Sequence, residues 1–194
     1  APGGWNFEFS HKRKIGKLDL VFGGFLVDLD SYNQGSGRHY GRGEIQTRYR
    51  ISERATLSLG AYLNKGNTSS FFYWKDAESG AYQAAEGTVT DSKRTRYFID
   101  PQFTYFSKAG GRHRLQGRVL SIDNNVSGGR SNASLNVFTE YQYVKDWEGL
   151  GLSLTAGAVY NRSTVNAPLY GDSTFLGQNS SLYFQLDKKI GDRL

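Results

Sequence analysis

The chain has 194 residues, 38% of them hydrophobic and 22% charged, with no Cys, no Met and a formal net charge of +6. This excludes a disulfide framework, thiol catalysis and Cys-ligated metals, and the 14% aromatic content argues against a disordered chain. The longest apolar run, Leu20 to Val27, is too short for a membrane-spanning helix, which needs roughly 20 residues. A mean hydropathy of -0.56 still suits a membrane β-barrel, in which only alternate residues face lipid.

Period-two patterning begins almost at once. "WNFEFSH" sets Trp5, Phe7 and Phe9 against Asn6, Glu8 and Ser10. "KLDLVFGGFLVDLD" starts with Leu18, Leu20 and Phe22 in phase, then shifts to Phe25, Val27 and Leu29, which predicts a β-bulge at Gly23 and Gly24. "EIQTRYRI" sets Ile45, Thr47, Tyr49 and Ile51 against Glu44, Gln46, Arg48 and Arg50, and "TLSLGAYL" aligns Leu57, Leu59, Ala61 and Leu63. "GAYQAAEG", in the connection that follows, could form one or two helical turns.

"RYFIDPQFTYF" sets Tyr97, Ile99, Phe103 and Tyr105 against Asp100, Gln102 and Thr104. Pro101 cannot donate to a ladder, so it is expected at a bulge or at the end of regular pairing, or else the strand is shorter than this stretch. "RLQGRVLSI" is a weaker alternation, and "SLNVFTEYQY" a clear one through Leu135, Val137, Thr139, Tyr141 and Tyr143. In "GLGLSLTAGAVYNR" every second residue from Leu150 to Tyr160 is apolar, with Gly, Ser and Thr in most gaps. "SLYFQLD" completes nine strand candidates, and "GDRL" reads as the opening of a tenth.

Short polar connections fall near Lys12–Gly16, Ser52–Ala55, Lys108–Arg112, Lys145–Gly149 and Lys188–Arg193, and longer stretches alternate with them. An up-and-down meander then gathers its tight turns at one end and its long loops at the other, as outer-membrane barrels do. Each strand is expected to hold about 9–11 residues. Tyr49, Tyr105, Tyr143 and Trp147 fall beside short turns, and Tyr97 and Tyr160 at the long-loop ends, where aromatic girdles belong. The expected fold is all-β: an antiparallel up-and-down transmembrane β-barrel, present in part, with about nine strands of a larger barrel in residues 1–194. Nine strands do not make the even number of a finished single-chain barrel, so the chain reads as a fragment.

"FIDPQFTYFSKAGGRHRLQGRV", "NVFTEYQYVKDW" and "SSLYFQLDKKIGDRL" resemble the barrel of TonB-dependent outer-membrane transporters, in particular those of Bacteroidetes. The resemblance implies a barrel of about 22 strands closed by a plug, energised by the TonB complex and importing a scarce nutrient such as a ferric siderophore, cobalamin or a glycan. It also implies a bacterial outer-membrane location, contact with outer-membrane lipid and lipopolysaccharide, and a surface lipoprotein or outer-membrane complex as a possible further partner. No Ton box, plug or C-terminal aromatic strand is present in the sequence. The alternatives are a structural component of an outer-membrane assembly and a barrel enzyme.

Phe71, Phe72, Tyr73 and Trp74, consecutive in the longest loop, are candidate ligand contacts, since exposed aromatics stack on flat ligands or mark an interface. Glu44, Arg48, Arg50, Arg96, Arg118 and Glu140 are expected to face the lumen or the plug. No nucleophile elbow, P-loop, HExxH or dinucleotide fingerprint is present, so no catalytic residue, enzyme activity or cofactor is expected. Glu44 and Glu140 remain the one carboxylate pair to weigh for a barrel hydrolase. No metal site is expected: Asp28 and Asp30 lack the rest of a calcium loop, and His11, His39 and His113 are scattered. Asn67, Asn125, Asn132, Asn161 and Asn179 open glycosylation-type triplets in loops already rich in Asn and Ser. Lys and Arg are spread along the chain, which argues against nucleic acid.

Overall fold

The computed structural model describes residues 2–78, 82–171 and 174–191. They form one sheet of nine antiparallel strands in chain order, each hydrogen-bonded to its sequence neighbours. The strands are β1 (Gly4–Ile15), β2 (Leu18–Asp30), β3 (Gly37–Arg50), β4 (Ala55–Phe71), β5 (Val89–Phe106), β6 (Gly111–Val126), β7 (Asn132–Trp147), β8 (Leu152–Asn166) and β9 (Thr174–Lys188). Among the described residues nothing pairs β1 with β9, so the sheet is open at both edges. Asp192 to Leu194, where a tenth strand was expected to open, lie outside the described residues.

The register fixes two faces. Directly paired residues share a face, and one row runs Ser10, Gly23, Glu44, Tyr62, Phe98, Leu120, Asn136, Ser163 and Gly177 across all nine strands. Rows above and below it on the same face carry Glu8, Asp19, Arg48, Ser58, Asp100, Gln116 and Glu140. The other face carries Phe9, Phe22, Ile45, Leu59, Ile99, Val119, Val137, Ala158 and Leu182. All six girdle candidates stand on this apolar face: Tyr49, Tyr105, Tyr143 and Trp147 toward the short turns, and Tyr97 and Tyr160 toward the opposite end.

Among the described residues no second layer covers either face. Ala167 is the one hydrophobic residue classed as buried among those described, while Leu182 and Phe184 are 86% and 81% exposed. The accessible surface is 13895 Å², whereas a folded globular monomer of 21.7 kDa exposes about 9,200 Å². The fold therefore holds together by its ladders and same-face neighbours, without a core of its own.

The tight connections use glycine where the chain must reverse. Gly16, Gly110 and Gly151 have φ of 56°, 80° and 55°, a region that side chains with a Cβ enter at a cost. The β3–β4 turn manages without one, through Ile51 N–H and Ser52 N–H donating to Ala55 O at 3.0 and 3.2 Å.

Several expectations are corrected. There is no bulge at Gly23 and Gly24: Ser10 pairs Gly23, Phe9 pairs Gly24 and the count continues unbroken. Phe25, Val27 and Leu29 accordingly lie on the polar face, where Phe25 meets the Tyr40 ring edge-on at 5.5 Å. Lys12 to Lys14 belong to β1, and the turn is Gly16–Lys17. Strands run 12 to 18 residues rather than 9–11, and much of the expected long-loop sequence is strand. The β2–β3 connection shrinks to residues 31–36 and the β6–β7 connection to 127–131. Polar composition hid these strand ends because, beyond the aromatic rows, both faces are polar.

The β4–β5 connection, residues 72–88, stays long and is not helical among its described residues. Trp74 bridges Ala84, Lys75 N–H donates to Gln83 O at 2.9 Å and Ala85 N–H to Tyr73 O at 2.9 Å, so "YQAA" is one side of a small hairpin. Gln34 N–H donates to Tyr82 O at 2.7 Å, tying the β2–β3 loop to it.

Pro101 sits at neither a bulge nor a strand end. On the β4 side it pairs Leu59 in regular order. On the β6 side the ladder skips from Ile99–Val119 to Gln102–Gln116 in unchanged register, the side on which the missing N–H would have donated. Gly117 stands opposite, where a Cβ would make ordinary van der Waals contact with Pro101 Cγ at 3.5 Å.

Candidate functional site: the polar face

Period two places every second side chain of β3 to β9 on the polar face, and long charged or amide side chains there connect neighbouring strands. Beside the gap at Pro101, Arg118 donates from Nε to Asp100 Oδ1 at 2.7 Å and from Nη2 to Oδ2 at 2.5 Å. This two-pronged pair bridges β5 and β6 where the backbone ladder does not. Its guanidinium also lies 5.1 Å from the Phe98 ring centroid.

A second cluster spans four strands. Glu140 on β7 accepts from Gln116 on β6 at 2.5 Å and from Tyr183 Oη on β9 at 2.5 Å, and Gln142 Nε2 donates to that same hydroxyl at 3.2 Å. Tyr183 reaches past β8 because Gly157 presents no side chain there; a Cβ would stand 2.5 Å from its Oη. Asn136 Nδ2 donates to Asn161 Oδ1 at 2.8 Å and Ser163 Oγ at 2.7 Å. Two open hollows of about 570 and 580 Å³ lie on either side of Asp100, one over β1–β5 and one over β4–β8, both touching Ser58.

The six residues expected to face inward all stand on this one face. Glu44 pairs with Arg42 at 3.3 Å, and Arg48 lines the first hollow. Arg50 is at its short-turn margin, opposite Thr56. Arg96 lies 5.8 Å from the Tyr62 centroid. Arg118 and Glu140 hold the two clusters described above. The structure does not bring Glu44 and Glu140 together: β3 and β7 are four strand spacings apart and Glu140 lies four residues beyond Asn136, which shares the row of Glu44, so their backbones are separated by roughly 23 Å. That exceeds the roughly 5–9.5 Å of a hydrolytic carboxylate pair.

The aromatic candidates sit apart from this face. Phe71 ends β4, and Phe72, Tyr73 and Trp74 project from the loop hairpin at 93%, 70% and 59% exposure. Tyr32 and Tyr82, 73% and 58% exposed, belong to the same two tied loops. Sequence reading missed them because the tie is a backbone hydrogen bond between distant loops. His39 bonds Asp28 at 3.0 Å and His113 bonds Tyr141 at 2.7 Å. Among the described residues no three His, Asp or Glu gather as a metal site.

The Asp100–Arg118 pair gives a direct prediction. Arg118→Met keeps a stem over Phe98 but removes the fork, and the arginine is about half exposed. Guanidinium unfolding is expected to show a loss of about 1 kcal/mol, the size of a partly screened pair plus a cation–π contact. An unchanged midpoint would show that the bridge adds nothing where the ladder skips.

No family model matches the chain, and no curated protein matches it.

Proposed function

We propose that the chain forms part of the β-barrel of a TonB-dependent transporter in a bacterial outer membrane, importing a scarce nutrient such as a ferric siderophore, cobalamin or a glycan. The observation that carries the membrane part is the segregation of the two faces in a sheet that has no core. An apolar face with aromatic rows at both ends needs a non-aqueous partner, and a bilayer offers one of the right thickness. From Tyr97 to Tyr105, β5 advances about 27 Å, and a tilt of 35–45° reduces this to roughly 20 Å, close to the apolar band of an outer-membrane barrel. In this setting the polar face lines the lumen and the short turns face the periplasm. Unpaired backbone at the edges of β1 and β9 is untenable in hydrocarbon, so further strands cover both edges.

The transporter part rests on the resemblance of β5–β9 to that family. It implies a plug inside the polar face, coupled to the TonB complex, with a surface lipoprotein as a further partner.

Two measurements test the reading. Of the three tryptophans, Trp5 and Trp147 stand on the apolar face and Trp74 in the loop hairpin. In single-tryptophan variants refolded into vesicles, brominated lipid is expected to quench Trp5 and Trp147 and to spare Trp74. Equal quenching by aqueous acrylamide at all three would rule out the membrane orientation. For the family, intact mass and peptide mapping of the native polypeptide should find a plug-like domain before Ala1 and further alternating strands after Leu194. Their absence would overturn the transporter while leaving the barrel.

A further inference from the structure

On the loop side of the polar face, the charged side chains of β3 and β5 are all arginines. On the short-turn side of the row through Glu44, Tyr62 and Phe98, Lys14, Asp19 and Arg48 share a row and Arg118 binds Asp100, with further cations at Lys12, Arg50, Arg112 and Arg114. On the loop side of that row the charged residues are Arg38 and Arg42 on β3, Arg94 and Arg96 on β5, and a carboxylate only at Glu8 on β1, among those described. Glu44, in the dividing row, is taken up by Arg42. Between the two basic strands, β4 offers only Asn64, Gly66 and Thr68, which are short and neutral. One row reads Arg42–Asn64–Arg96, and the next Tyr40–Gly66–Arg94. The result is a trough with a small, hydrogen-bonding floor and two cationic walls about 10 Å apart at the backbone.

Arg94 and Arg96 are held in place by neutral groups, whereas Arg42 also pairs with Glu44 at 3.3 Å. Arg96 lies against Tyr62 and Arg42 lies 5.0 Å over Phe25. Arg94 spends one N–H: its Nε donates to Asn124 Oδ1 at 2.8 Å, and Asn124 Nδ2 donates in turn to Asn132 Oδ1 at 2.8 Å. The outer N–H groups of Arg94 are left for another acceptor. Aromatic and amide neighbours orient a guanidinium without neutralising it, so the local excess of positive charge persists. Guanidinium forks set around a small polar floor match the planar, two-oxygen geometry of carboxylate and phosphate.

We propose that the trough over Asn64, between Arg42 and the pair Arg94 and Arg96, binds a small free molecule carrying carboxylate or phosphate groups. The site rests on the barrel reading only in taking this face to line the lumen, so it is measured as binding and not as transport.

The test titrates the purified full chain, folded in detergent, with citrate in one arm and pyrophosphate in the other, by calorimetry at low salt. At least one anion is expected to bind, and Arg94→Ala with Arg96→Ala is expected to weaken it tenfold or more. The Lys replacements at both positions should weaken it less, because charge is kept while the fork is lost. Arg112→Ala, on the short-turn side, should leave affinity unchanged. The stronger arm names the oxyanion. A wild-type chain that binds neither anion, or a double variant that binds as tightly as wild type, would overturn the proposal. In the first case a carboxylate from a protein segment would be the remaining occupant. The Lys pair guards against misfolding of the Ala pair: with its tryptophan quenching intact it should bind more weakly than wild type but more tightly than the Ala pair, and a Lys pair as tight as wild type would overturn recognition by the forks. Lost quenching in wild type would instead remove the barrel reading.

Discussion

Leu59→Arg is expected to cost about 2–4 kcal/mol of folding free energy in a bilayer, and Ser58→Arg, one residue away, less than about 1 kcal/mol. Leu59 pairs Thr47 and Pro101 on the apolar face, midway along β5 between the rows of Tyr97 and Tyr105. An arginine there projects into the centre of the hydrocarbon, where snorkelling reaches least far. Ser58 points the other way, into a hollow with Asp100 nearby, where water and a carboxylate receive the new charge. The comparison is between neighbours, so differences in local backbone propensity largely cancel. Reversible urea unfolding from lipid vesicles measures both. Equal costs for the two variants would mean that the apolar face is covered by something other than lipid, and the membrane proposal would fall.

Gly157→Val should remove about 2–4 kcal/mol and detach Tyr183 from Glu140. A Cβ at this position would lie 2.5 Å from Tyr183 Oη and 2.5 Å from Tyr141 O. The tyrosine could swing away, but the carbonyl belongs to the β7 backbone and cannot move without disturbing the β7–β8 ladder. Tyr183→Phe removes only the hydroxyl and its two hydrogen bonds, so about 1 kcal/mol is expected from it. Unfolding of the two single variants and their combination separates the contributions. The double variant should retain most of the Gly157→Val cost, because the backbone clash survives the loss of the hydroxyl. A Gly157→Val protein as stable as wild type would show that β7 and β8 can part without penalty.

Much of the sheet could be read from alternation alone. All nine strands and the apolar positions of β1, β3, β4, β5 and β7 follow from period two, because one face is consistently apolar. The reading failed where that signal has no contrast. At Gly23 and Gly24 the apolar side chains of β2 change face without any change in backbone register, because Phe25 is accommodated on the polar face against Tyr40 and the Arg42 guanidinium. At the loop ends both faces are polar, so strand and loop look alike in sequence. The six inward candidates could be assigned to one face by parity, but their partners could not. Tyr183 finding Glu140 across a glycine, or Arg118 filling the gap left by Pro101, depends on the register of several strands at once. The row that joins Arg42 to Arg96 across Asn64 was hidden for the same reason, since the two arginines are far apart in the chain.

The constant register within each pair of strands from β1 to β9 constrains how such a chain can change in length. Inserting or deleting a single residue inside a strand would turn every later side chain of that strand to the opposite face, placing arginines among the leucines. Two residues at once would preserve the faces and shift only the height of the strand. A connection such as residues 72–88 can vary freely because no parity crosses it. Length variation among homologous chains should therefore be confined to the loops or come in steps of two, and an odd step within a strand would have to bring a bulge with it.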